Sequence, residues 1–200
     1  MIETKHLILR PIQLTDVDDM FEYAKDKETG PRAGWPPHKN VEETRGLIEY
    51  WLSAESNEEQ YALLHKIDNK MIGTMGIVHL NKYEKDDKNI IVKELIKSGK
   101  QAYEIGVTIS RQYWGKGIAT ETLEAMLKYL FENRNADVVI TCHYVENIGS
   151  KKVQEKNNMQ ILGSYECDKK WFNTDCTTMI VRGKTREEWL AEHSSDLTKE

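Results

Sequence analysis

Between Glu104 and Thr120 the chain changes its hydrophobic period. Ile105, Val107 and Ile109 alternate with polar or small residues, the two-residue repeat of a half-buried strand. From Ala119 onward the apolar positions are Leu123, Met126, Leu127, Leu130 and Phe131, which is helical spacing. The switch falls at Gly115 and Gly117, so the segment reads as a strand, a glycine-bearing turn and a helix. Upstream, Leu7 to Ile12 predicts a first strand, stopped by Pro11 and the polar residues after it. Val17, Met20, Phe21 and Ala24 give one buried face to a helix starting near Thr15 or Asp16. Gly30 to His38 is too rich in glycine and proline for a helix or a central strand and predicts a loop.

Asn40 is placed to cap a second helix, with Glu43 reaching back to complete a capping box. Its inner stripe is Val41, Thr44, Leu47, Ile48, Trp51 and Leu52. Tyr61 to Ile67 and Met71 to Leu80 predict a hairpin turning at Asp68-Asn69-Lys70. The segment between Asn81 and Gln101, with its charged run from Lys82 to Asn89, predicts a solvated excursion, with a lid or dimer contact as the alternative, and its second half from Ile90 to Lys100 allows a short helix or an added strand pair. Asp137 to Tyr144 is nearly continuously apolar, as in a central strand. Asn147 then caps a short helix through Lys156, and Gln160 to Glu166 and Trp171 to Arg182 form a final antiparallel pair. Thr185 to Glu188 is a second capping box, opening a terminal helix that buries Trp189 and Leu190.

With 200 residues the chain is long enough for one domain with a substantial core. Its 33 acidic and 28 basic side chains leave a net charge of −5, which argues against general nucleic-acid binding and suits a cationic or amine partner better. No stretch reaches the length of a membrane span, and Met1 to Lys5 lacks a secretion signal's basic-then-apolar pattern, so the cytoplasm is the expected location. Cys142, Cys167 and Cys176 are too few and too scattered for a disulfide framework or a metal site, and no metal is expected. Cys142 stands apart because it falls within an apolar strand.

A turn carrying Gly115 and Gly117 ahead of a helix offers successive N–H donors and a positive dipole end, a place for phosphate. A P-loop would need Lys and then Ser or Thr after its last glycine, whereas Ile118 and Ala119 follow here; a dinucleotide fold would need three more widely spaced glycines. The spacing present is Gln/Arg-x-x-Gly-x-Gly/Ala, as Gln112-Tyr113-Trp114-Gly115-Lys116-Gly117. It resembles the acetyl-coenzyme A motif of the GNAT superfamily of N-acetyltransferases. Thr4 to Pro11, Trp114 to Glu121 and Asn147-Ile148-Gly149-Ser150 further resemble the branch of the ribosomal-protein-alanine N-acetyltransferases. Together the likeness spans about residues 4 to 183.

The resemblance implies an α+β fold with a mixed, mostly antiparallel twisted sheet of about seven strands and helices on both faces. Two central parallel strands, 104–109 and 137–144, are splayed apart in it. It implies one acetyltransferase domain over 1–192, with an insertion at about 81–101 and a flexible tail over 193–200. Acetyl-CoA is the implied cosubstrate. Its pantetheine would lie on the backbones of Val107 and Ile109 and near Asn147 and Ser150, and its pyrophosphate on the amides of Gln112, Gly115, Lys116, Gly117, Ile118, Ala119 and Thr120.

Acetyl transfer to an amine needs a neutral nucleophile, hence a group that takes its proton. Glu104 is the first candidate and His143 the second, each with a structural reading beside it. Ser150 is either a donor to the departing thiolate or a helix-terminal residue satisfying an amide. With no Cys-His-Asp set in view, direct attack in a ternary complex is expected, and a reactive Cys142 is the contrary case. The implied acceptor is a protein N-terminus or a small-molecule amine, with Trp35, His38, Tyr83 and Trp171 as either walls of its cleft or packing residues, and the protein a monomer or homodimer. The competing class is a non-catalytic acetyl-CoA sensor or structural subunit.

Overall fold

The computed structural model describes residues 1–82, 89–167 and 177–194. Among these residues eight strands form one sheet: β1 (Ile2–Glu3), β2 (Leu7–Pro11), β3 (Glu58–His65), β4 (Lys70–His79), β5 (Ala102–Ile109), β6 (Val138–Tyr144), β7 (Gln160–Cys167) and β8 (Thr177–Thr185). Their order is β1-β2-β3-β4-β5-β6-β8-β7, and every neighbouring pair is antiparallel except β5 with β6. The expected mixed sheet is present with one strand more, since Ile2 and Glu3 pair with Leu9 and Ile8.

Among the described residues seven α-helices accompany the sheet: α1 (Val17–Ala24), α2 (Thr29–Ala33), α3 (Val41–Leu52), α4 (Ile90–Ser98), α5 (Ile118–Asn133), α6 (Ile148–Lys156) and α7 (Arg186–His193). On one face Ile105 and Ile109 of β5 join Leu123, Leu127, Leu130 and Phe131 of α5 and Trp189 of α7. On the other, α1 and α3 cover Ile12, Ala62 and Met71, and α4 covers Ala102, Val138, Ile140 and Val181. Alternation along each strand sends successive side chains to opposite faces, so both faces of the central strands are apolar and both are covered.

Several local expectations change. The 30–38 segment holds a helix, α2, where a loop was expected. Asp26 Oδ1 accepts from the N–H groups of Glu28 and Thr29 at 2.9 Å each, which starts α2, and Gly34 at φ +93° ends it. Pro31 lies in the first turn, where no intrahelical donor is lost. Asn40 caps α3 by accepting from Glu43 N–H at 2.8 Å, but the Glu43 carboxylate accepts from Lys39 N–H at 2.7 Å, so the reciprocal half of the box does not form. Leu52 and Leu190 sit at the edges of their stripes and are exposed. Residues 90–98 are not a solvated excursion: Val92 is buried, and Ile91, Leu95 and Ile96 pack beside it against the sheet. Tyr83, Trp171, Cys176, the 83–88 part of the charged run and the tail from 195 lie outside the described residues.

The capping box on α7 forms as expected, with Thr185 Oγ1 accepting from Glu188 N–H at 3.2 Å and Thr185 N–H donating to Glu188 Oε2 at 2.8 Å. Thr185→Ala is expected to cost about 1 kcal/mol, a fall of roughly 2–4 °C in thermal midpoint, measurable by differential scanning calorimetry. An unchanged midpoint would mean that α7 is held by Trp189 packing alone.

Candidate active site

The parallel strands pair only at their beginnings: Ala102 with Val138, Tyr103 with Val139 and Glu104 with Ile140. β4 stays paired to β5 as far as Ile109, and β8 stays paired to β6 as far as Tyr144. Each strand is therefore held along its outer edge while the inner edges part, leaving backbone groups without ladder partners across the gap. A cavity of about 450 Å³ occupies this fork, lined by β5 from Ile105 to Ile109 and β6 from Thr141 to Tyr144.

Beyond β5, one turn of 3₁₀ helix over Arg111–Tyr113 leads into the glycine turn. Tyr113 and Trp114 N–H donate to Ser110 and Arg111 carbonyls at 2.9 and 3.1 Å, and the Trp114 indole N–H donates to the Ile109 carbonyl at 2.7 Å. These bonds fix the chain just ahead of the glycines. Gly115 and Gly117 have φ of +74° and +82°, and a Cβ on either would meet nothing within 4 Å. Glycine is required there by backbone conformation and not by crowding. The α5 ladder begins with Glu121 N–H donating to the Gly117 carbonyl at 3.0 Å. Among the described residues no acceptor engages the N–H groups from Gly115 to Thr120. They form a run of donors at a helix start, beside the cavity, as anion binding requires.

Of the residues singled out in the sequence, Val107, Ile109, Gly115, Gly117, Ile118, Ala119, Thr120, Asn147 and Ser150 line this one cavity. Glu104, Gln112 and Lys116 do not. Gln112 lies in the 3₁₀ turn beside Asp19, Glu22 and Lys70, because that turn rotates it away from the cavity. The Lys116 ammonium lies 4.9 Å from the centre of the Tyr113 ring. Since the Tyr113 and Trp114 amides are used internally, the donor run starts at Gly115 and not at Gln112. Glu104 holds the last paired position of the fork and shares a strand face with Gly106 and Thr108, both in the cavity wall.

Asn147 and Ser150 come from the start of α6. Asn147 Oδ1 accepts from Ser150 N–H at 3.1 Å, capping the helix, while Asn147 Nδ2 donates to the Arg32 carbonyl at 2.9 Å. Both ends of the Asn147 amide thus have protein partners, and the residue pins α2 to α6. Ser150 Oγ accepts from Gln154 Nε2 at 3.1 Å, and Gln154 Oε1 lies 2.8 Å from His143 Nδ1. Burial pushes the His143 imidazole below its usual range, outweighing the opposing hydrogen bond to Gln154.

The sequence reading missed α2, which contributes Thr29, Arg32 and Ala33 to the wall. The guanidinium of Arg32 lies 5.3 Å from the Trp114 ring centre. The Asp26-x-x-Thr29 spacing followed by Gly34 was the available signal. Trp35 and His38 do not line the cavity: their rings contact each other at 5.2 Å, and His38 Nδ1 lies 2.7 Å from Thr44 Oγ1, so both serve packing. Among the described lining residues the charged side chains are Arg32, Lys152 and Lys156, all basic, and none is acidic. That charge suits a polyanionic ligand. Cys142 and Cys167 are not joined in a disulfide, and no group of three or more potential metal ligands occurs among the described residues. No described helix is long and apolar enough to cross a membrane.

A forked parallel pair beside an unengaged amide run at a basic cavity makes a site for an extended, phosphate-bearing ligand. The profile of the acetyltransferase (GNAT) domain matches residues 6–160 of this chain, which therefore belongs to the GNAT family and is an acetyl-CoA-dependent acetyltransferase. The uncharacterized N-acetyltransferase p20 of Bacillus licheniformis is 28% identical over 82% of this chain and 85% of its own. A GNAT-family acetyltransferase from Bacillus anthracis superposes with a TM-score of 0.74 at 22% identity, covering 94% of this chain and 99% of that one. The spermidine N-acetyltransferase of Vibrio cholerae, solved with CoA and spermine, superposes with a TM-score of 0.71 at 16% identity, covering 92% and 98%. These structural likenesses concern the fold.

Proposed function

We propose that the chain moves the acetyl group of acetyl-CoA to a primary amine, on a protein N-terminus or a small molecule, by direct attack in a ternary complex. The observation that carries this reading is the end of β5–β6 pairing at Glu104 and Ile140, next to the unengaged amides of Gly115 to Thr120. Pantetheine is a chain of amides and can complete the parted strand edge at Val107 and Ile109, while the glycine turn takes the pyrophosphate. The thioester supplies the activated acetyl group. Backbone N–H near Val107 polarises its carbonyl, Glu104 receives the amine proton through water, and the Ser150 hydroxyl donates a hydrogen bond to the sulfur as it leaves. The Trp114 to Glu121 motif and the Asn147-x-x-Ser150 pair support placement near the ribosomal-protein-alanine branch. Residues 1–192 form the acetyltransferase domain, with 81–101 as an insertion, in a cytoplasmic monomer or homodimer that engages neither nucleic acid nor membrane.

Thiol release from acetyl-CoA, followed across peptides with free N-termini, polyamines, amino sugars and amino acids, tests the proposal. Release above the acceptor-free background with at least one amine is expected. Tight acetyl-CoA binding with silence across the whole panel would overturn the enzyme reading of this site in favour of a sensor or structural subunit.

A further inference from the structure

We propose that Gln154 is a positioning residue for acetyl transfer, turning the Ser150 hydroxyl hydrogen into the cavity where the sulfur departs. The inference rests on the reading of Ser150 as the donor to that sulfur. Gln154 projects from α6 and is 2% exposed, so its amide must be satisfied inside the protein. Its Oε1 lies 2.8 Å from His143 Nδ1, and its Nε2 lies 3.1 Å from Ser150 Oγ and 3.4 Å from the Cys142 carbonyl oxygen.

These contacts permit one direction only. A backbone carbonyl accepts and never donates, so the NH₂ end of the amide belongs beside Cys142 and Ser150. The amide oxygen then faces His143, and since it too can only accept, His143 Nδ1 must carry a proton. The chain runs His143 Nδ1–H to Gln154 Oε1, then Gln154 Nε2–H to Ser150 Oγ. Ser150 spends a lone pair on this contact and keeps its hydrogen, for which no described residue is the acceptor. Each donor in such a series polarises the next. The opposite His143 tautomer would require the amide to flip, set oxygen against the Cys142 carbonyl, and draw the Ser150 hydrogen back toward Gln154.

The chemical consequence concerns one bond. As the amine nitrogen bonds the acetyl carbon, the C–S bond breaks and its electron pair collects on sulfur, while the amine proton passes through water to Glu104. Ser150 keeps its proton and offers it as a hydrogen bond to the sulfur. A hydroxyl already aimed by Gln154 needs no reorientation at that moment.

Gln154→Met keeps the side chain's length without the amide, and Gln154→Glu replaces the donor with an acceptor that would pull the Ser150 hydrogen inward. With the fastest amine of the panel, both are expected to lower kcat, Gln154→Met by about tenfold and Gln154→Glu by more, with acetyl-CoA affinity changed less than about twofold. Combined with Ser150→Ala, neither should slow the enzyme further. Long-range ¹H–¹⁵N NMR of the unmodified protein should find His143 protonated at Nδ1, a readout that needs no acceptor and no variant. A slow Ser150→Ala beside Gln154 variants with unchanged kcat would overturn the positioning role alone. Unchanged kcat in Ser150→Ala would overturn the Ser150 reading and this inference together. An Nε2–H tautomer of His143, or losses that multiply in the double variants, would overturn the inference as well.

Discussion

Replacing Gly117 with valine is expected to weaken acetyl-CoA binding by about a hundredfold while leaving the chain folded. At φ +82° this residue occupies the left-handed region, in which a β-branched side chain is a true outlier. Valine must relax toward negative φ, and that rotates the peptide planes on both sides of residue 117. The N–H groups of Gly117 and Ile118 then no longer converge with those of Ala119 and Thr120. A hydrogen bond to a charged group is worth about 1.5–3 kcal/mol, so losing one to two of them gives roughly the stated factor. Stability should suffer less. A Cβ at this position meets nothing within 4 Å, which limits the cost to local strain of about 1–2 kcal/mol. Isothermal titration calorimetry with acetyl-CoA, beside a thermal melt of the same sample, separates the two effects. Unchanged affinity in a folded Gly117→Val protein would remove the glycine turn from the binding site.

The second large effect is expected at the apex of the fork. Glu104→Gln preserves size and hydrogen-bonding capacity but cannot take a proton, and kcat should fall about a hundredfold, the lower end of what general-base catalysis contributes. Affinity for acetyl-CoA should hold, because Glu104 lies outside the cavity wall that the glycine turn and α6 share. Strand parity gives this prediction its content. Glu104 belongs to the face of Gly106 and Thr108, whereas His143 turns toward α6 and is bonded to Gln154, so the two candidate bases serve opposite sides of the gap. A kcat within about twofold of the parent would exclude Glu104 and leave His143 or solvent to take the proton.

The strand, glycine turn and helix around residues 104–133 could be read from the sequence because a change of hydrophobic period is local information. The α7 box was legible for the same reason, since Thr185 and Glu188 lie three residues apart. The fork was expected only through the family resemblance. Its cause is where pairing stops, and nothing in the composition of β5 or β6 marks Glu104 and Ile140 as the last pair. The contact between His143 and Gln154, on a strand and on the following helix, is set by tertiary packing and leaves no periodic trace. Trp35 and His38 were open between cleft wall and packing, since large side chains in a glycine-rich stretch fit either, and contacts with α3 and its neighbours decide for packing. Asn147 lay between these cases. Its capping role was visible from Asn147-x-x-Ser150, but its bond to the Arg32 carbonyl depends on α2, whose proline concealed it.

The central claim is that the parted edge of β5 and the amides from Gly115 to Thr120 together receive acetyl-CoA. Backbone amide NMR during a titration with acetyl-CoA tests it directly. Saturable shifts confined to Val107 through Ile109, Gly115 through Thr120 and the start of α6, with β1 through β3 unmoved, are the predicted result. Binding that leaves the Gly115 to Thr120 amides unperturbed, or no binding at millimolar acetyl-CoA, would contradict it.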